Sequence, residues 1–201
     1  MSDTFGREFL KFEATETNQG KGYWLDQPWV DEGQRDSLLR ANVLALPHAS
    51  DGAEGPVFPD GSEAFLARFR ELLGADARLE VAIRAADYHE LALHSKAWRL
   101  PTLFVSYVAL PFVVNIFASR IDALLPGHKA GDTAEITLIV EGAHHKTLKL
   151  RFKGDPKDLG DLLQRSVPRF IDELDDAPAA PHQVHPRVRG RESKGSRGQT
   201  R

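Results

Sequence analysis

Residues 101 to 119, PTLFVSYVALPFVVNIFAS, run for nineteen positions without a charge in a chain that is 27% charged. A helix that crosses a bilayer needs about twenty mostly apolar residues, so this stretch decides between a membrane segment and the core of a fold surrounded by water. Thr102, Ser106, Asn115 and Ser119 interrupt it, and Pro111 sits in its middle. The flanking charges are nearly balanced, with Lys96 and Arg99 before and Arg120 and Asp122 after, and encode no orientation. Val113, Ile116 or Phe117, Ile121 and Leu124 continue at helical spacing into charged sequence, as a packed helix does. A buried core helix is the expectation, and membrane insertion of 101–119 is the alternative.

The elements around it read as a soluble α/β pattern. NVLALP at 42–47 is a short apolar strand stopped by Pro47, and 48–61 is loop by composition. Phe65, Leu66, Phe69, Leu72 and Leu73 share a helical face, with Ser62 as the expected cap and Gly74 as the left-handed terminator. RLEVAIRA at 78–85 alternates as a strand, and a strand, helix and strand in succession predict a parallel crossover pair. AEITLIVEG at 134–142 and KTLKLRFKG at 146–154 predict an antiparallel hairpin with one buried face, Lys149 and Arg151 lying on the wet one. Asp155 and Pro156 open a last helix along Leu159, Leu162, Leu163, Val167, Phe170, Ile171 and Leu174, which Pro168 is expected to kink or divide. Near the amino terminus, 7–17 and 23–25 read as a hairpin around NQGKG, with Trp24 and Trp29 either as lids on the core, the more common use of tryptophan, or as an exposed contact patch.

These elements predict an α+β fold. It holds a mixed sheet of about four strands, the parallel pair plus the hairpin, with helices mainly on one face. At 201 residues the chain suits one core with appended arms: an amino-terminal arm or hairpin at 1–40, the α+β domain at 41–176 and a disordered basic tail at 177–201. The absence of cysteine excludes disulfides and thiolate chemistry, and MSDTFGREFLKFEATE lacks the marks of a secretory signal, so a cytoplasmic protein is expected. The net charge of −3 conceals an asymmetry. Arg187, Arg189, Arg191, Lys194, Arg197 and Arg201 face only Glu192 in residues 181–201, which leaves −8 on the first 180. The six cations are candidate contacts for nucleic acid or an acidic partner, although no aromatic residue in the tail could stack on a base, and a solvated end is the plainer reading.

Catalytic chemistry has little support. Asp87, His89, Glu90 and His94 offer metal-ligand types, but the two histidines are five apart, which splits them on a helix as on a strand. Glu90 and His94 could hydrogen-bond on a helix. His144 and His145 fall in the turn of the predicted hairpin. No phosphate-cradling glycine loop or nucleophile elbow is present, so no catalytic residue, cofactor or metal is expected.

The order of an amphipathic helix ending ELLGAD, the strand RLEVAIRA, an apolar helix ending SRIDALL, the hairpin ITLIVEG to LKLRFKG, and DPKDLGDLL resembles the bacterial effector-associated constant component family over residues 62–165. The aromatic residues Phe104, Tyr107, Phe112 and Phe117 depart from that family's apolar helix, which is richer in small residues. The resemblance implies a non-enzymatic adaptor or regulatory subunit that binds an effector protein in a bacterial conflict or defence system, with no catalytic residues to carry over. The alternatives are a membrane-acting effector that inserts 101–119, and a nucleic-acid-binding accessory protein that uses the tail.

Overall fold

The computed structural model describes residues 11–49, 55–91, 97–129, 131–142 and 146–175. In chain order these form β1 (Lys11–Thr17), α1 (Lys21–Leu25), α2 (Glu32–Arg40), β2 (Val43–Leu46), β3 (His48–Ala49), β4 (Pro56–Pro59) and α3 (Ser62–Leu73). There follow β5 (Leu79–Val81), β6 (Glu90–Leu91), β7 (Ala97–Arg99), β8 (Thr102–Ser106), α4 (Leu110–Leu124), β9 (Thr133–Glu141), β10 (Thr147–Gly154) and α5 (Pro156–Asp175).

The fold is α+β with a mixed sheet, larger than the four strands expected. Seven strands make the main sheet in the order β1-β10-β9-β8-β2-β5, with β7 also on β9, and β3-β4-β6 form a small second sheet. The predicted crossover is present, β2 and β5 pairing in parallel around α3, and so is the β9–β10 hairpin. The amino-terminal hairpin is not. β1 pairs antiparallel with β10 over its whole length, while 23–25 lies in α1. A strand with one apolar face gains more from the edge of a large sheet than from an isolated two-stranded ribbon.

The uncharged segment divides. Its first part is β8 and its remainder enters α4 through a 3₁₀ turn at Tyr107–Ala109. Leu103 and Val105 belong to the larger core, whereas Phe104 belongs to a smaller core on the other side of the sheet. β2 is shared in the same way, Val43 and Ala45 on one side and Leu44 and Leu46 on the other. A strand covered on both faces reads as an unbroken apolar run, which periodicity alone does not separate from a buried helix. Tyr107–Leu124 still meets the length and composition of a membrane crossing, with 44% of it buried inside the fold. Phe104 and Ile116 are buried, whereas Val108 and Phe112 are 65% and 43% exposed, so no continuous bare strip joins the four.

Helices lie on both faces, though unequally. α3, α4 and α5 cover the larger core, where Phe69 packs between Phe65 and Phe117 at centroid distances of 5.6 Å on each side. α1 and α2 cover the β2–β8 side of the opposite face and reach Ile139 of β9, with Leu25 and Leu38 turned toward the sheet. Lys21 fastens this pair: its Nζ donates to the carbonyls of Leu39 and Ala41 at 2.6 Å each, and its backbone N–H donates to Glu141 at 2.8 Å. α3 is capped at Gly61, in the left-handed region at φ 81°, and Ser62 instead donates its hydroxyl to the Pro59 carbonyl at 2.6 Å. α5 runs undivided through Pro168, and the helical irregularity falls at Arg120 of α4, with φ −133° and ψ 20°.

Candidate functional site: a basic cleft on the open sheet face

Because α1 and α2 lie over β2, β8 and Ile139 of β9, the same face of β9 at Glu135 and Thr137, with that of β10 at Lys149, Arg151 and Lys153, is left open among the described residues. Alternation then sorts the side chains. Leu148, Leu150 and Phe152 of β10 enter the larger core, and Lys149, Arg151 and Lys153 point the other way into solvent. On β9, Ile136, Leu138 and Val140 are inward, which puts Glu135 and Thr137 on the open face.

The small sheet rises beside this face and turns it into a cleft of about 560 Å³. Val57, Phe58 and Pro59 of β4 with Leu91 of β6 form one wall. The other carries four cations, Arg99, Lys149, Arg151 and Lys153, against one carboxylate, Glu135. Register explains their meeting: Glu135 stands opposite Lys153 on β10 and opposite Arg99 on β7. Arg151, one diagonal step away, holds Glu135 by donating from both Nε and Nη2 to the same carboxylate oxygen, Oε1, with the Nε contact at 3.1 Å. Between these charges lie Thr102, Thr137 and His48, with the His48 Nε2 3.4 Å from the Thr102 hydroxyl.

The local field is positive. His48 is pushed below its ordinary value by burial, then by the charges of Lys149 and Arg99, with Glu135 opposing. Burial disfavours ionised Glu135, yet the Arg151 hydrogen bond and the charges of Arg151, Lys153 and Arg99 outweigh it and hold the carboxyl below its usual range. The Glu135 bond in turn raises Arg151. One cation is therefore neutralised within the cleft. Among the described residues no side-chain hydrogen bond or ion pair engages Arg99, Lys149 or Lys153, although the charges of Arg99 and Lys153 act on Glu135. Such a site can bind anions, and rigid strands aim its charges.

The sequence-flagged residues fall elsewhere. Glu90 is on β6, not a helix, and its carboxylate accepts from the backbone N–H groups of Gly61 at 2.8 Å and Glu63 at 2.6 Å, capping α3. The Tyr88 hydroxyl donates to the same carboxylate at 2.8 Å. Burial first, then that bond, raises the Tyr88 phenol well above its ordinary value. Asp87 pairs with Arg84 at 2.5 Å. Among the described residues no three histidine, aspartate or glutamate side chains gather to hold a metal. His94, His144 and His145 lie outside the described residues, as do Arg187, Arg189, Arg191, Lys194, Arg197 and Arg201.

Sequence reading placed Lys149 and Arg151 on a wet face but did not assemble the cleft. The available signal was KTLKLRFK itself, basic residues at alternate positions on one strand with no acid among them. A second concavity, of about 630 Å³, lies between Trp29, Val57, Arg84, Asp87 and His89, and its strongest charges are already paired with each other. No protein-family model matches the chain, and neither a curated protein nor a solved structure does so.

Proposed function

We propose that the protein is a non-enzymatic adaptor or regulatory subunit that binds a partner effector protein, and that the basic cleft is its grip. The observation that carries this reading is the group of Arg99, Lys149 and Lys153, held on strands around a polar floor with no side-chain hydrogen bond or ion pair to them among the described residues. Fixed charge of one sign at a partly enclosed surface favours association with a surface of the opposite sign. The family resemblance adds the setting, an effector in a bacterial conflict or defence system acting in the cytoplasm.

Two rival readings meet physical objections. Membrane insertion of 101–119 would pull β8 from between β9 and β2 and uncover the apolar side chains of α4 that pack in the core. Nucleic acid would satisfy the cations, yet Phe58 is fully buried and offers no stacking face, which among the described lining residues leaves the small His48 imidazole as the ring able to stack on a base.

Copurification of the tagged full chain from its native host provides the test. A stoichiometric protein partner is expected, retained at low salt and lost from the Lys149→Glu/Lys153→Glu double variant. Recovery as a lone monomer that turns over a small molecule would reject the adaptor reading.

A further inference from the structure

Charge spacing on β10 goes further than charge sign. Lys149, Arg151 and Lys153 occupy alternate positions on one face of a regular strand. Same-face neighbours on a strand are about 7 Å apart, so Lys149 and Lys153 project from points about 14 Å apart. Arg151 between them is occupied by Glu135. Arg99 reinforces the Lys153 end, because both stand opposite Glu135 in the sheet. Glu13 of β1 stands opposite Arg151 on its other side, so the pattern is cation, a guanidinium flanked by two carboxylates, cation.

Few ligands match it. A free phosphate or lone carboxylate reaches one end only. Acids four residues apart on an α-helix are separated by about 6 Å along its axis, less than half the span. An extended peptide has the repeat of β10 itself, so its acids four residues apart face both ends at once. The residue midway would lie over the Arg151–Glu135 pair. The Thr102 and Thr137 hydroxyls and the His48 imidazole beside it can meet backbone groups of the peptide.

We propose that the cleft binds an extended acidic segment of the partner protein, reading two carboxylates four residues apart through Lys149 at one end and Lys153 with Arg99 at the other. This rests on the adaptor reading and adds to it a conformation and a spacing.

Two synthetic peptides of identical composition test it against the full chain by fluorescence anisotropy at low salt. One carries two glutamates four positions apart in a glycine, serine and threonine background, and the other carries them adjacent. The spaced peptide is expected to bind about tenfold more tightly, with the preference lost in Lys149→Glu and in Lys153→Glu and restored by arginine at either position. Equal binding of the two peptides would overturn the spacing rule. So would complete displacement by inorganic phosphate, which would mark a single-anion site, or tighter binding of a single-stranded oligonucleotide. If the peptides fail while the native partner still copurifies and is lost from the double variant, the inference falls and the adaptor reading stands. A partner retained by the double variant removes the cleft from both.

Discussion

Gly160 of α5 lies directly against the backbone of Ala118 in α4: a Cβ at position 160 would overlap Ala118 Cα and stand 2.9 Å from its N and 3.0 Å from its Cβ. The contact is backbone to backbone, so no flexible side chain can yield. It sets how closely the two helices approach over the larger core.

Gly160→Ala is therefore expected to destabilise the protein in spite of alanine's helix preference. That preference favours the variant by about 1 kcal/mol, whereas forcing atoms into a packed interior costs typically 1–3 kcal/mol and more when backbone must move. Denaturant midpoints of the two proteins give the sign. A more stable variant would show that α5 can slide away from α4 freely.

Glu90 joins a helix end to a phenol. Glu90→Ala removes the two carboxylate oxygens that accept from the Gly61 and Glu63 backbone N–H groups at the start of α3, and should lower stability by about 1 kcal/mol, the usual effect of losing a cap. In ultraviolet titration, Tyr88 should ionise at lower pH than in the parent, part of the way back toward 10.0, because burial persists when the carboxylate is gone. The raised phenol contributes stability that is present below 10.0 and lost as pH rises toward its folded value. An unchanged Tyr88 titration would mean that the Glu90 bond does not govern it.

His48 makes the cleft sensitive to acid. Its folded value is lowered, so between that value and the ordinary 6.5 the unfolded chain binds more protons. The resulting contribution to stability is present above 6.5 and lost as pH falls through the folded value. Denaturation on both sides of 6.5 should show this decline in the parent and a smaller one in His48→Gln, with NMR titration of the imidazole as the direct measurement. Lys149→Gln should raise that imidazole value, since the Lys149 charge contributes to the depression.

Arg151→Met should leave Glu135 buried without its main partner. The carboxyl, now held below 4.5, is expected to rise, because burial opposes its charge once the arginine is gone. In the parent, the stability due to Glu135 is present above 4.5 and disappears as pH falls through its lower folded value. The variant should lose stability near neutrality and depend less on pH below 4.5. Carbon-detected NMR of the glutamate carboxyls would report the shift, and an unmoved Glu135 would contradict the role given to Arg151.

Lys21 satisfies the Leu39 and Ala41 carbonyls at the end of α2. Lys21→Met keeps the apolar stem and removes both bonds, with an expected loss of about 1–2 kcal/mol, in the range for bonds to a charged donor. Burial lowers the Lys21 ammonium even though Glu141 raises it, consistent with an amine drawn partly out of water. Hydrogen exchange should quicken in α2 before it does in β10.

The sequence alone determined the elements whose evidence is local. The β9–β10 hairpin was legible because Ile136, Leu138 and Val140 alternate as cleanly as Leu148, Leu150 and Phe152 do. α3 was legible because Phe65, Phe69 and Leu73 repeat within one helical face and Gly74 follows them, at φ 57°. Only tertiary structure decided which surfaces those elements meet. Phe12 could pair across a nearby turn or across more than a hundred residues with Phe152, and the sheet edge prevailed because it covers more apolar surface. Leu103, Phe104 and Val105 looked helical in isolation and became a strand because cores lie on both sides of it. The cleft belongs to this second class. Glu135 and Lys153 meet across the legible β9–β10 hairpin, but Arg99 joins them only because β7 pairs with the other side of β9, which no local period records.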